Sequence, residues 1–98
     1  MTTKQRAILR SMAVTFEPIL HIGKDGIGDA LVKQCWDALE AHELIKITVQ
    51  QNCPLTAREA CGELCERVHA EPVQVIGRRF VIYRQARENS KIRLNELC

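Results

Sequence analysis

Aromatic residues are almost missing from this chain of 98 residues: Phe16, Trp36, Phe80 and Tyr83 make up 4% of it. So few rings exclude a sheet that binds RNA by stacking successive bases on several exposed aromatic side chains. No window of about 18 apolar residues occurs, which excludes a transmembrane helix. The opening stretch MTTKQRAILRSMAV has no apolar run of signal-peptide length, so a cytoplasmic location is expected. Internal repeats, low-complexity segments and linkers are absent as well. The length suits one domain with a modest core and leaves no room for separate substrate and cofactor domains. A hydrophobic content of 46% with 27% charged residues is that of a globular chain rather than a disordered one.

Sets of residues for catalysis or metal binding are also wanting. No Ser-His-Asp or Cys-His arrangement is suggested by order or spacing. None of the five cysteines (Cys35, Cys53, Cys61, Cys65 and Cys98) forms a CxxC pair. Cys61 and Cys65 are four apart and share a helix face, and His69 could join them as a third ligand. A fourth zinc ligand is missing. The same two cysteines fall on the apolar stripe Ala57, Ala60, Cys61, Leu64, Cys65, Val68, where a free thiol packs as a small hydrophobe. Cys98 at the chain end is expected to be exposed. The chain is therefore read as a non-enzyme with no metal, no cofactor, no small-molecule substrate and no membrane partner. A thiol or metal enzyme built on Cys61, Cys65 and His69 is the weaker rival.

The formal net charge is only +2, but its distribution is uneven. Residues 1–16 carry Lys4, Arg6 and Arg10 and no acid, for +3. Residues 17–77 come to −5, and residues 78–98 to +4. A polyanion partner requires the fold to bring the basic ends together; otherwise the pattern is an unevenly charged solvated surface.

Hydrophobic spacing predicts a helix over 3–14, capped by Thr2 or Thr3, with Ile8, Met12 and Ala7 or Leu9 as its apolar face. Ile19 to Ile22, bounded by Pro18 and Gly23, reads as a strand. Leu31, Val32, Cys35, Trp36, Ala38 and Leu39 recur at helical spacing, giving a helix over about 28–42, and Trp36 belongs to its core face. Leu44 to Val49 is a β-branched strand. Thr56 and Glu59 form a capping box for a helix reaching about residue 69. Val73 to Ile76, the turn Gly77-Arg78 and Arg79 to Tyr83 form a hairpin. One of Phe80 and Tyr83 faces the helices and the other the open side of the sheet. His21 and His42 read as packed or capping residues. Residues 85–98 read as a polar, basic tail with Ile92, Leu94 and Leu97 as its anchors. The order α-β-α-β-α-β-β predicts an α/β two-layer sandwich with a mixed four-stranded sheet, its βαβ unit pairing in parallel and its last two strands antiparallel. The domain spans residues 1–84.

The loop Gly23-Lys24-Asp25-Gly26 sits where the first strand hands over to a helix. Its glycines allow a tight turn and close approach of a ligand. The amides opening the next helix face outward with the positive end of the dipole, and Lys24 adds a full charge. This is an anion site suited to a phosphodiester backbone, as in GXXG loops that clamp nucleotides. Asp25 sets a negative charge beside it. The pattern is neither a Walker loop nor a dinucleotide fingerprint. Arg78 and Arg79 at the hairpin turn, and Arg84 at the strand end, are further candidates for backbone contacts, with solubility as the alternative.

Three stretches together carry a family resemblance: Ile22-Gly23-Lys24-Asp25-Gly26-Ile27, His42 to Ile47, and Val73 to Arg78 leading into Val81-Ile82-Tyr83-Arg84, with Leu9-Arg10 upstream. Over residues 3–94 the chain resembles the CRM domain in its stand-alone bacterial YhbY-like form. The resemblance implies an RNA-binding domain similar in fold to the C-terminal domain of translation initiation factor three. It also implies association with ribosomal RNA in large-subunit precursors and a role in ribosome assembly; the chain is expected to be a monomer. The family's GxxG loop falls on Gly23, Lys24, Asp25 and Gly26, with Lys4, Arg6, Arg10, Arg78, Arg79 and Arg84 extending the footprint. Gly28 departs from the Ser or Thr usual there, so a side-chain cap is lost. The alternative is a protein-interaction module that joins ribosomal precursors through its acidic middle without touching RNA.

Overall fold

The computed structural model describes residues 2–85; the expected tail, apart from Gln85, and Cys98 with it lie outside the described residues. The chain folds as α1 (Thr3–Ala13), β1 (Leu20–Ile22), α2 (Asp29–His42), β2 (Leu44–Val49), α3 (Ala57–Val68), β3 (Glu71–Ile76) and β4 (Arg79–Tyr83), in the expected order.

Local chemistry explains the helix starts. The Thr2 hydroxyl accepts from the Gln5 amide at 3.0 Å, and Gln5 Oε1 accepts from the Thr2 amide at 2.9 Å. Thr56 and Glu59 repeat this capping box at α3, with distances of 3.1 and 2.9 Å. Those hydrogen bonds, the Thr56 backbone one foremost, hold the Glu59 carboxyl below its ordinary pKa. At α2 the cap is Gly28, which supplies no side-chain bond, as its lack of a hydroxyl requires.

The sheet order is β1-β2-β4-β3. β1 runs parallel to β2, and β4 is antiparallel to both β2 and β3. Pro72 sits on the edge strand β3, where its missing donor is tolerated, and a register shift lies between Pro72 and Gln74. Strand alternation splits the core in two. Ile45, Ile47, Val49, Phe80 and Ile82 face α2 and α3, where Cys35, Leu39, Ala60, Cys61, Leu64 and Val68 close the main core. Leu44, Val73, Val81 and Tyr83 face the other way and meet Leu9 and Ala13 of α1.

That second cluster corrects two local expectations, and the edge position of β1 a third. α1 buries Leu9 and Ala13, an i,i+4 pair that lies flat on the sheet, while Met12 is left 38% exposed. Tyr83 does point away from α2 and α3, but α1 covers it, and burial raises its hydroxyl pKa. His21 is exposed rather than packed, because it alternates with the inward-facing Leu20 and Ile22 on an edge strand.

Cys35, Cys61 and Cys65 are buried free thiols within the main core. Burial pushes the Cys35 thiol up to about 12. The hydrogen bond that Cys65 donates to Cys61, then burial, raises Cys65, and the same bond lowers Cys61. All three pack as small hydrophobes, and the raised Cys35 and Cys65 thiols make poor nucleophiles. Among the described residues no group of three or more His, Cys, Asp or Glu side chains could hold a metal ion.

Candidate nucleic-acid interface

The GxxG loop is a closed turn. The Gly26 amide donates to the Gly23 carbonyl at 3.0 Å, and Gly26 takes a left-handed φ of 66°, a conformation that glycine adopts without steric cost. A Cβ on Gly23 would lie 2.9 Å from Gln50 Oε1, so the backbone passes close to the segment after β2. Lys24 and Asp25 are exposed at the tip.

Two backbone hydrogen bonds from adjacent residues decide what lies next to this loop. The Gln50 amide donates to the Ile22 carbonyl at 2.8 Å, and the Val49 amide donates to the Arg78 carbonyl at 2.7 Å. The end of β2 thus ties the GxxG loop on one side to the β3–β4 turn on the other. Lys24, Arg78 and Arg79 share one end of the sheet, and both arginines are exposed. A cleft of about 380 Å³, lined by Gln51, Pro54, Thr56, Gly77 and Arg78 among others, opens at the same end.

Residues outside the motif brace the loop. Arg67 of α3 donates to the Ile27 carbonyl at 3.2 Å and pairs with Asp29 at 3.1 Å. These bonds fix the exit of the loop into α2, whose first-turn amides have no side-chain cap competing for them. In the sequence Arg67 is one more base on the polar side of a helix; no local pattern marks it, because its partners are about 40 residues away.

The structure treats the remaining candidates differently. Lys4 and Arg10 are exposed on α1. Arg6 Nε donates to the Pro72 carbonyl at 3.3 Å and anchors α1 to β3. These three bases lie toward the opposite end of the sheet from Lys24, since α1 packs over Leu44 and Tyr83. β2 rises about 3.3 Å per residue, so the two ends are roughly 17 Å apart. The loop and the α1 bases are therefore not one cluster. Arg84 leaves the candidate set altogether. Its side chain is 10% exposed, pairs with Glu40 at 3.1 Å, donates to the Val68 carbonyl at 3.2 Å and lies over the Trp36 ring. A guanidinium engaged on three sides inside the fold cannot reach a phosphate. Trp36 is half-buried against the main core beneath it.

Comparison with known proteins places this geometry. The model of the CRS1 / YhbY (CRM) domain matches residues 1–84. The probable RNA-binding protein YqeI of Bacillus subtilis is 40% identical over 94 residues, covering 96% of this chain and 98% of that protein. An RNA-binding protein of Haemophilus influenzae is 31% identical over 94 residues, covering 96% and 94%. The solution structure of the hypothetical protein SAV1595 from Staphylococcus aureus superimposes with a TM-score of 0.79 at 45% identity, covering 95% of this chain and 97% of that one.

Proposed function

The chain belongs to the CRS1 / YhbY (CRM) domain family, and from that premise we propose that it is an RNA-binding protein of ribosome assembly, gripping the phosphate backbone with its GxxG loop. Its target in this reading is ribosomal RNA in precursors of the large subunit, as the family resemblance implies, and the cytoplasm is the location proposed for that encounter. One observation carries the assignment of the site: the end of β2 holds Lys24 and the Arg78-Arg79 turn on the same edge of the sheet through backbone hydrogen bonds of 2.8 and 2.7 Å. Lys24, the loop amides and the two arginines then form a continuous anion-binding edge, with Lys4 and Arg10 as an outlying second contact. Backbone recognition of this kind needs no aromatic platform, which agrees with the scarcity of rings.

Filter binding of the full chain to ribosomal RNA fragments across a salt series tests the reading. Affinity should fall linearly in log–log form, with a slope set by the phosphates neutralised. Replacing Lys24 and Asp25 together by alanine leaves the net charge unchanged, so weaker binding would report the loop itself. A salt-insensitive affinity, or unchanged binding by that double variant, sinks the loop assignment.

One observation favours a protein partner on the same particles. Val14, Phe16 and Ile19 are 72, 37 and 47% exposed, and Phe16 and Ile19 line a cleft of about 320 Å³ with His42 and Ile45. Nuclease treatment before co-sedimentation separates the readings, since only RNA-mediated association is lost.

A further inference from the structure

The face of the sheet turned away from α2 and α3 is covered by α1 over Leu44 and Tyr83 and as far as Val73 and Val81. Toward the GxxG loop it is open. The ladder puts Lys46 beside Val81, Val81 beside Gln74, and Arg79 between Thr48 and Ile76. These side chains share one face, with paired Cα atoms about 5 Å apart. Lys46, Gln74, Ile76, Arg79 and Val81 line a shallow cleft of about 160 Å³.

Three features make this cleft more than a stretch of solvated sheet. Its two charges are both positive, and the loop-side half of the face, from His21 across to Ile76, carries no carboxylate. Of the exposed acids, Asp29, Asp37, Glu59, Glu63 and Glu66 lie on α2 and α3 behind the sheet, Asp25 is at the GxxG tip, Glu71 is at the far end of β3, and Glu17 lines the neighbouring cleft with Lys46. Lys46 is half-buried in the middle of a central strand, yet no ion pair or hydrogen bond among the described residues engages its ammonium, the Gln74 amide or the Arg79 guanidinium. An unpaired, partly desolvated lysine costs stability unless something anionic answers it. Finally, Ile76 is 63% exposed at the rim and Val81 is buried at the floor, giving an apolar wall beside the polar groups.

We propose that this open-face cleft holds one unpaired nucleotide of a single-stranded RNA segment continuous with the strand gripped at the GxxG edge. Lys46 and Arg79 take the flanking phosphates, the Gln74 amide meets the base edge with a donor and an acceptor, and Ile76 and Val81 cover the base plane in place of an aromatic ring. The cleft is about the size of a single base, and Arg79 belongs to both the cleft and the edge already described. The inference rests on that reading of the edge and adds a preference for unpaired RNA, because a base inside a duplex cannot present its pairing edge to Gln74.

The test uses the full chain, a labelled single-stranded RNA of about a dozen nucleotides and mixed sequence, and the matching blunt duplex, with binding read by fluorescence anisotropy. Lys46→Ala combined with Gln74→Ala should weaken single-strand binding about 10-fold, the scale of one lost base and one lost phosphate contact, while duplex binding changes much less. Both side chains project from the surface of the sheet, and circular dichroism and thermal melting confirm that the variant folds. In the unaltered protein, amide signals at 46–48, 74–76 and 79–81 should shift on adding the single strand. Equal weakening toward both RNAs, no weakening, or unshifted amides overturns the cleft while leaving the loop assignment standing if the Lys24 and Asp25 double variant still loses affinity. Failure of the unaltered protein to bind either RNA overturns both.

Discussion

The guanidinium carbon of Arg84 lies 3.9 Å from the centroid of the Trp36 ring, so the end of β4 is clamped onto α2. The same side chain pairs with Glu40 and donates to the last helical carbonyl of α3, joining three elements where the described sheet ends. Arg84 thus holds the helical layer to the sheet.

Arg84→Ala should therefore destabilise the fold by about 2 kcal/mol, through a lost cation–π contact and a carboxylate left half-buried. Arg84→Lys should recover little of that, because an ammonium has neither the planar stacking face nor the fork. Urea unfolding measures the loss. The salt slope of RNA binding, taken where both proteins are folded, should not change; a slope lower by one would return Arg84 to the interface.

Arg67→Ala tests a different kind of support. Its partner Asp29 is fully exposed, so the ion pair contributes little to global stability. The bond to the Ile27 carbonyl fixes the loop exit. Faster amide exchange at 24–28 with a melting temperature nearly unchanged is the expected signature, together with weaker RNA binding. Unaltered exchange in that segment would show that Arg67 does not brace the loop.

Two substitutions in one loop should move stability in opposite directions. Gly26→Ala forces a Cβ into a left-handed backbone and should cost about 1 kcal/mol. Gly28→Ser stands at an N-cap with extended φ and ψ of −104° and 178° and meets no atom within 4 Å. Its hydroxyl can cap α2 and should add a few tenths of a kcal/mol. Paired thermal melts decide both signs.

The buried thiols predict an alkaline limit. The Cys35 thiol titrates near 9 when unfolded and is pushed up to about 12 by burial, with the nearby Arg84 charge acting weakly the other way. Its contribution to stability is full below about pH 9 and is lost as pH rises from there toward 12, since the unfolded chain ionises first. The raised Tyr83 hydroxyl acts in the same sense. Melting temperatures should fall over that range, and less steeply in Cys35→Ala. Thiol labelling at pH 8 should reach the half-buried Cys53 before Cys35, Cys61 or Cys65.

Much of this molecule is local, and the local part was legible. The Thr56–Glu59 capping box, the glycine turn at 77 and the alternation through Leu44 to Val49 each depend on residues a few positions apart, and each element appears where its pattern places it. The glycine spacing that marks the GxxG loop is equally local. The sequence by itself determined the elements, their order and the glycine spacing of the loop, because capping, turn chemistry and side-chain period act within a turn or two of chain. Only the tertiary structure decided which bases become neighbours. β4 inserts between β2 and β3, which puts Arg78 and Arg79 beside the end of β2 and hence beside Lys24. α1 lies across the far end of the opposite face, which separates Lys4, Arg6 and Arg10 from the loop. Arg84 turns inward to Trp36 and Glu40. Charges on a chain carry no record of the face they will occupy; strand order and the packing of one helix assign it.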